Sequence, residues 1–272
     1  MSDRRRILGP ANTVTPNIPN STGSRKPSAT NTQSIPPFFL KHSIIENANG
    51  SAYLEIGNTL IEVSIFGPRP IRGSFVDHAS VSVECKFHPY ITPQPQASTF
   101  NSAKQTGRTG LTDVEHRISN YLEGCILPCL LLEKYPKSSI DVHVSIISTD
   151  RDDLKNNANL LWLMNWIVCC TSVAFVDSGI EMRDVITGGQ VRLCGDKVII
   201  HPDLEDDETD EPSVDGLLNF MNLKNDEIVG IWIEGNETDL STEKMNQLVE
   251  ECKKMSKIIR ANINSYLINS FK

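Results

Sequence analysis

The residues best suited to chemistry form an acidic run at positions 203–211. Seven of these nine residues are Asp or Glu, and Asp215 follows four residues later. Carboxylates at this density could hold a divalent cation, which would polarise a phosphate oxygen or place a nucleophile. A run of like charges is also typical of a solvated loop. We therefore interpret the run as an acidic surface loop, with a site that uses Asp210 and Asp215 as the alternative.

The cysteines indicate neither a disulfide framework nor a zinc site, because their number, seven, is odd and no C-x-x-C spacing occurs. Cys125 and Cys129, four residues apart, are predicted to be small buried residues on one helix face. This usage favours a reducing compartment. The polar segment after Arg4–Arg6 argues against a secretory signal. We expect no apolar stretch to reach the roughly 18 residues of a membrane span.

The composition changes near residue 40. Residues 1–40 are rich in Pro, Ser, Thr and Asn and are predicted to be a disordered tail, with a candidate docking segment at residues 3–10. Residues 41–272 are predicted to form one domain. The formal net charge of −8 argues against a chain whose main task is to grip nucleic acid, since phosphate contacts need clustered Lys and Arg. A local basic patch is still compatible with this charge.

Hydrophobic periodicity alternates between that of strands and that of helices. A hairpin is predicted around Gly57-Asn58. A helix begins at the capping box of Thr112 and Glu115 and is predicted to end near Tyr135-Pro136. The segment 160–176 is apolar nearly all round, which predicts a helix buried on both sides, and a last helix starts near Ser241. Further strands are predicted at 81–87, 140–146, 185–186, 191–193, 198–200, 217–223 and 228–233. This order indicates an α+β fold with α/β-like layers: mixed sheets packed against a buried central helix and a C-terminal helix.

At these elements the chain resembles the RNase PH family. The segment Gly50–Phe75, GSAYLEIGNTLIEVSIFGPRPIRGSF, is similar to that family's first hairpin and the loop that ends it. Two further blocks resemble the strand before the family's phosphate site and the end of its central helix: 135–142 and 175–184. With the last hairpin and helix, the resemblance covers roughly residues 42–268.

Other residues resemble one fungal subgroup of the RNase PH-like subunits of the eukaryotic RNA exosome. They are the segments 3–6, 9–10, 45–47 and 69–75. The resemblance implies a six-membered ring of paralogues, with S1/KH-type cap subunits, associated nucleases and single-stranded RNA in its channel. It implies no cofactor and no membrane, a role in RNA processing including that of rRNA, and a location in the nucleus, nucleolus and cytoplasm.

The resemblance breaks at the catalytic positions. Active members of the family hold phosphate with a glycine-containing turn after the strand that corresponds to 140–146. Residues 148–157, STDRDDLKNN, contain no glycine and add acidic charge, which repels phosphate. The position of one catalytic Asp falls on or near Thr209. We therefore predict a non-catalytic ring subunit with no catalytic residue and no metal site; an active phosphate-dependent 3'–5' exoribonuclease using Asp210 and Asp215 is the alternative.

Four arginines are predicted to contact RNA. Arg69 and Arg72 lie on the loop that the family places near the neck of the channel, where phosphates pass. Arg108 and Arg117 fall where active members carry RNA-binding arginines, and Arg117 is the better match. The alternatives are solvated loop arginines for Arg69 and Arg72 and an ion pair for Arg117.

Overall fold

The computed structural model describes residues 35–73, 75–88, 91, 111–149, 157–194, 197–200, 213–221, 225, 227–235 and 242–270. The predictions for residues 1–34, for Arg108, for the acidic run at 203–211 and for most of the turn at 148–157 lie outside the described residues. The described elements confirm an α+β arrangement, with two β-sheets and three α-helices.

The first sheet has five strands in the order β1-β2-β3-β5-β4: β1 Phe38–His42, β2 Gly50–Ile56, β3 Thr59–Pro70, β4 Ser80–Phe87 and β5 Ser138–Ser148. Its strands pair antiparallel except β4 and β5, which are parallel. The predicted Gly57-Asn58 turn joins β2 to β3, and Gly57 takes the left-handed conformation (φ 59°) that such a turn needs. β1 was not predicted. It begins three residues before the predicted boundary at residue 41.

The second sheet is fully antiparallel, in the order β7-β6-β8-β9: β6 Thr187–Cys194, β7 Lys197–Ile199, β8 Ser213–Met221 and β9 Glu227–Gly235. The predicted hairpins at 191–200 and 217–233 are confirmed. The predicted short strand at 185–186 is wrong, because β6 begins only at Thr187 and then runs without a break to Cys194.

The first helix, α1, runs from Asp113 to Ile126 and begins at the predicted capping box. Glu115 Oε2 accepts a hydrogen bond from the Thr112 amide (2.7 Å), and Glu115 Oε1 accepts one from the Phe87 amide of β4 (2.9 Å). The same carboxylate therefore caps the helix and docks it on the first sheet. The predicted end near Tyr135-Pro136 is wrong: α1 ends before Pro128, which has no N–H to continue the helical ladder, and two short 3-10 turns follow.

The second helix, α2, runs from Asn157 to Ser178 and lies between the two sheets, in contact with β2 and β3 on one side and with β6 and β8 on the other. Its part Asn159–Ser178 is long and apolar enough to cross a membrane, with a mean hydropathy of 1.6, so the expectation that no segment reaches that length is corrected. However, 94% of its most apolar window is buried inside the protein, as in a core helix. Gly179 (φ 70°) ends it as predicted.

The third helix, α3, runs from Thr242 to Ser270 and covers β6 and β8 on the side away from α2. Gly188 and Gly189 are neighbours on β6 and face opposite sides of the second sheet. A side chain at Gly188 would meet Asn165 of α2, whereas one at Gly189 would lie 2.1 Å from the Cys252 carbonyl oxygen of α3. The second sheet therefore has a helix on each face, which explains why every residue of β6 is buried.

Candidate RNA-contact and catalytic positions

The predicted site residues lie at two ends of the first sheet. Arg69 pairs in register with Ser139, near the start of β5. The glycine-free turn follows Ser148, at the other end of the strand, so these two features lie about 30 Å apart at the rise of a β-strand. α1 begins at the Ser148 end, since Glu115 binds the Phe87 amide and Phe87 pairs with Ile146.

Asp215 belongs to the Ser148 end and forms a buried ion pair. Its two carboxylate oxygens accept hydrogen bonds from Arg192 Nε (2.8 Å) and Arg192 Nη2 (3.0 Å). Only 4% of the Arg192 side chain and 9% of the Asp215 side chain are exposed. Bidentate pairing of this kind fixes both partners. It engages both oxygens that Asp215 would need to bind a metal ion or to move a proton.

The pair forms because the strand register brings together two residues that are 23 positions apart in sequence. Arg192 on β6 lies directly opposite Asp215 on β8, and Glu234 on β9 lies opposite Asp215 on the other side. Residues opposite one another in a sheet project to the same face. Here that face is the one toward α1 and α2, where a charge needs a partner.

Arg117 on α1 also lies at the Ser148 end, and it makes the ion pair that was the alternative to RNA contact. Its Nη2 atom lies 3.2 Å from Glu234 Oε1, and its guanidinium carbon is 5.2 Å from the centre of the Trp232 ring. The side chain keeps 47% of its surface exposed. Arg117 is therefore held against β9 while part of its guanidinium surface faces solvent. Its contact with RNA stays a prediction.

Arg69 and Arg72 lie at the opposite end of the sheet. β3 extends to Pro70, so Arg69 lies on the strand and not on the loop as predicted. The pairing of β3 with β5 is irregular between Phe66 and Arg69. Arg69 lies over the Phe66 ring at 5.1 Å and 4.0 Å from Asp141, with 57% of its side chain exposed. Arg72 is exposed on the segment that follows. Both are accessible, and their contact with RNA stays a prediction.

The segment that carries Arg72 is anchored by backbone hydrogen bonds. The Ile71 amide donates to the Lys137 carbonyl (3.0 Å), and the Lys137 amide donates to the Val76 carbonyl (2.9 Å). Phe75 is 74% exposed between these anchors. Phe75 ends the segment 69–75 that carries the resemblance to the fungal subgroup, and Ile71 (42%) and Val76 (43%) on the same stretch are also exposed.

Comparison with known protein families assigns the chain to one of them. Residues 35–181 match the RNase PH family, described as the 3' exoribonuclease family, domain 1. The chain belongs to the RNase PH family. The match starts just before β1, in agreement with the earlier start of the domain. It covers the first sheet, α1 and α2, so the two ends of that sheet are both parts of a RNase PH domain.

Relatives of this RNase PH-family chain are named as exosome components. It is 28% identical to "Exosome complex component mtr3" of Schizosaccharomyces pombe, over 98% of this chain and 96% of the relative. It is 26% identical to "Exosome complex component MTR3" of Chaetomium thermophilum, over 95% and 97% of the two chains. These names confirm the resemblance to a fungal subgroup, that of mRNA transport regulator 3.

Solved structures confirm the RNase PH-like fold. The rice protein Rrp46 superposes with a TM-score of 0.67 at 17% identity, over 88% of this chain and 98% of the rice chain. A chain of the Archaeoglobus fulgidus exosome with RNA bound to its active site superposes with a TM-score of 0.62 at 15% identity, over 85% and 90% of the chains. At these identities the likeness concerns the fold alone.

The thiols of this RNase PH-family chain are structural. All seven cysteines are buried thiols outside any disulfide, which confirms the prediction for Cys125 and Cys129. Burial raises the pKa of Cys125, Cys129, Cys169 and Cys252 to about 12, because the thiolate would lose its solvation. Among the described residues, no three His, Cys, Asp or Glu side chains lie close enough to hold a metal ion.

Proposed function

We propose that this chain is a non-catalytic structural subunit of an exosome core ring. In that ring it forms part of the channel for single-stranded RNA and a platform for S1/KH-type cap subunits. It supports 3'–5' processing and degradation of RNA, including rRNA, by associated nucleases in the nucleus, nucleolus and cytoplasm. The names of the relatives and the membership of the RNase PH family support the ring assignment.

The observation that carries the non-catalytic assignment is the buried pair of Arg192 and Asp215. A carboxylate that takes part in phosphorolysis must be able to meet a metal ion or a reacting oxygen. Both oxygens of Asp215 are engaged by one guanidinium in a buried position. The geometry of this pair is therefore better suited to a structural ion pair within the sheet than to a catalytic carboxylate.

Two other stretches of the sequence, 148–157 and the region of Thr209, support the same assignment. A phosphate held at a helix start needs backbone N–H groups that can approach it closely, and glycine makes that approach possible. The turn 148–157 has none, and three of its ten residues are aspartates. By the resemblance, the position of one catalytic aspartate of the family falls on or near Thr209, whose hydroxyl is a weaker metal ligand than a carboxylate.

Assembly with a paralogue is supported by β9, an edge strand of the second sheet. α3 covers β6 and β8, and Ile233 of β9 packs against the cluster below α3. Among the described residues the rest of that face of β9 is more open: Ile231 is 51% exposed, and Ile228 near the start of the strand is 45% exposed. An open edge with apolar side chains is a ready template for a strand of another chain. We assign this edge to a contact with a RNase PH-like paralogue.

The test measures mass and phosphate-dependent RNA decay. The chain is purified alone and with RNase PH-like ring paralogues, and single-stranded RNA is incubated with and without phosphate. We expect stable hetero-oligomers and no decay that depends on this chain. Decay that disappears with Asp210→Ala would show an active exoribonuclease. A soluble monomer that ignores the paralogues would refute the ring assignment.

A further inference from the structure

An apolar groove lies between the start of the domain and α3. Its cavity volume is about 800 Å³, within the size range of sites that hold small molecules or short peptides. One wall is the segment Ile35–Leu40, and the other is formed chiefly by Met255, Ile258 and Tyr266 of α3. Ile258 is 53% exposed and Phe39 is 56% exposed, so the groove presents apolar side chains to solvent.

Each of the two walls is long enough to flank a short extended segment. Residues 251–266 of the helical wall span about 23 Å at 1.5 Å per residue. Residues 35–40 of the extended wall span about 17 Å at 3.3 Å per residue. The walls meet where the His42 amide donates a hydrogen bond to the Tyr266 hydroxyl (3.0 Å). The groove is therefore a slot with one closed end, long enough for an extended segment of several residues.

The extended wall is also the open edge of the first sheet. The Ser43 amide donates to the Ser51 carbonyl (3.0 Å), so by antiparallel alternation Lys41 and Phe39 also bond to β2. Phe38 and Leu40 then direct their N–H and C=O groups away from β2, to the side on which His42 reaches Tyr266. Both residues line the groove, so an occupant meets backbone donors and acceptors at the spacing of a strand.

The charge of the groove restricts its occupant. Glu251 and Lys254 are the charged residues of its described lining, and they pair with each other at 2.6 Å. Nucleic acid needs cations that are free to meet phosphates, and this lining offers no such cation. An uncharged segment matches the neutral apolar walls, because a charged side chain would lose its solvation there.

We propose that this groove binds an extended, uncharged segment of a partner protein, which adds as a strand beside β1. The main chain of the segment bonds to Phe38 and Leu40. Its alternate side chains, which are apolar, pack on Met255 and Ile258, the arrangement by which sheet edges capture peptides.

The binding test uses the full chain and a short fluorescein-labelled peptide in which threonine alternates with isoleucine, valine and leucine. Anisotropy is expected to show saturable binding. Ile258→Glu places a carboxylate in the groove and is expected to weaken that binding by more than about tenfold. The matched control is Ile268→Glu, because Ile268 is 58% exposed on the same helix but does not line the groove. The control is expected to bind as the parent chain does.

Amide hydrogen exchange separates strand addition from simple apolar contact. Saturating peptide is expected to slow exchange at Phe38 and Leu40 at least about tenfold, whereas Phe39 and Lys41, already bonded to β2, change little. The proposal fails if binding does not saturate, if Ile258→Glu and Ile268→Glu bind equally, or if the two edge amides stay unprotected. Sedimentation of the chain alone tests whether a second copy occupies the groove. A dimer that Ile258→Glu abolishes would identify that copy as the occupant and overturn the proposal.

Discussion

Replacing Asp215 with alanine removes the anionic half of a buried ion pair. The Arg192 guanidinium is 4% exposed and loses the carboxylate that accepts hydrogen bonds from its Nε and Nη2 atoms. Loss of one partner from a buried pair costs about 3–5 kcal/mol, because the other charge remains desolvated. At about 2–4 °C per kcal/mol, Tm should fall by roughly 6–20 °C.

Two further variants locate the origin of that loss. The double variant Arg192→Leu with Asp215→Leu is expected to recover most of the stability, since it removes both charges of the pair. Glu234→Ala is the matched control, because Glu234 faces Asp215 in register but pairs with Arg117, which is 47% exposed. A half-exposed pair of this kind contributes under about 1 kcal/mol.

The assay is thermal and urea unfolding followed by circular dichroism, with phosphate-dependent RNA decay measured on the same preparations. A structural Asp215 predicts a lower midpoint for Asp215→Ala, recovery in the double variant and no change in decay. The reasoning is refuted if Asp215→Ala unfolds at the parent midpoint while abolishing decay that the parent chain catalyses, because the carboxylate would then act in catalysis.

Three further perturbations test other parts of the structure. Ile231→Lys on the open face of β9 should reduce co-elution with ring paralogues, whereas Ile268→Lys should not; equal co-elution would contradict a β9 interface. Arg69→Glu with Arg72→Glu should shorten the RNA protected from nuclease by an assembled complex and leave its mass unchanged; unchanged protection would count against a channel contact. Gly189→Ala forces α3 away from β6 and should cost about 1–3 kcal/mol in urea unfolding, so an unaltered midpoint would contradict the tight contact with α3.

Local patterns were sufficient for most elements. The Gly57-Asn58 turn, the Thr112 capping box and the apolar circumference of α2 each depend on residues that are neighbours in sequence, and each is confirmed. β1 was missed because its stability comes from distant partners. It pairs with β2, and Phe38 packs against Trp166 of α2 with tilted rings whose centres are 5.2 Å apart, whereas the prolines before it are typical of a tail.

The candidate site shows the same division more sharply. The acidic run at 203–211 drew attention to Asp215, and the resemblance to active members of the family marked Arg117 as a candidate. Strand register decides which groups neutralise these two side chains. Arg192 of β6 lies opposite Asp215, and Glu234 of β9 lies within reach of Arg117. A shift of one residue in either pairing would turn these side chains to the other face of the sheet. The amino-acid pattern therefore indicated the family and the side chains that could act on phosphate. The packing of two sheets around α2 decided that Asp215 is neutralised by Arg192.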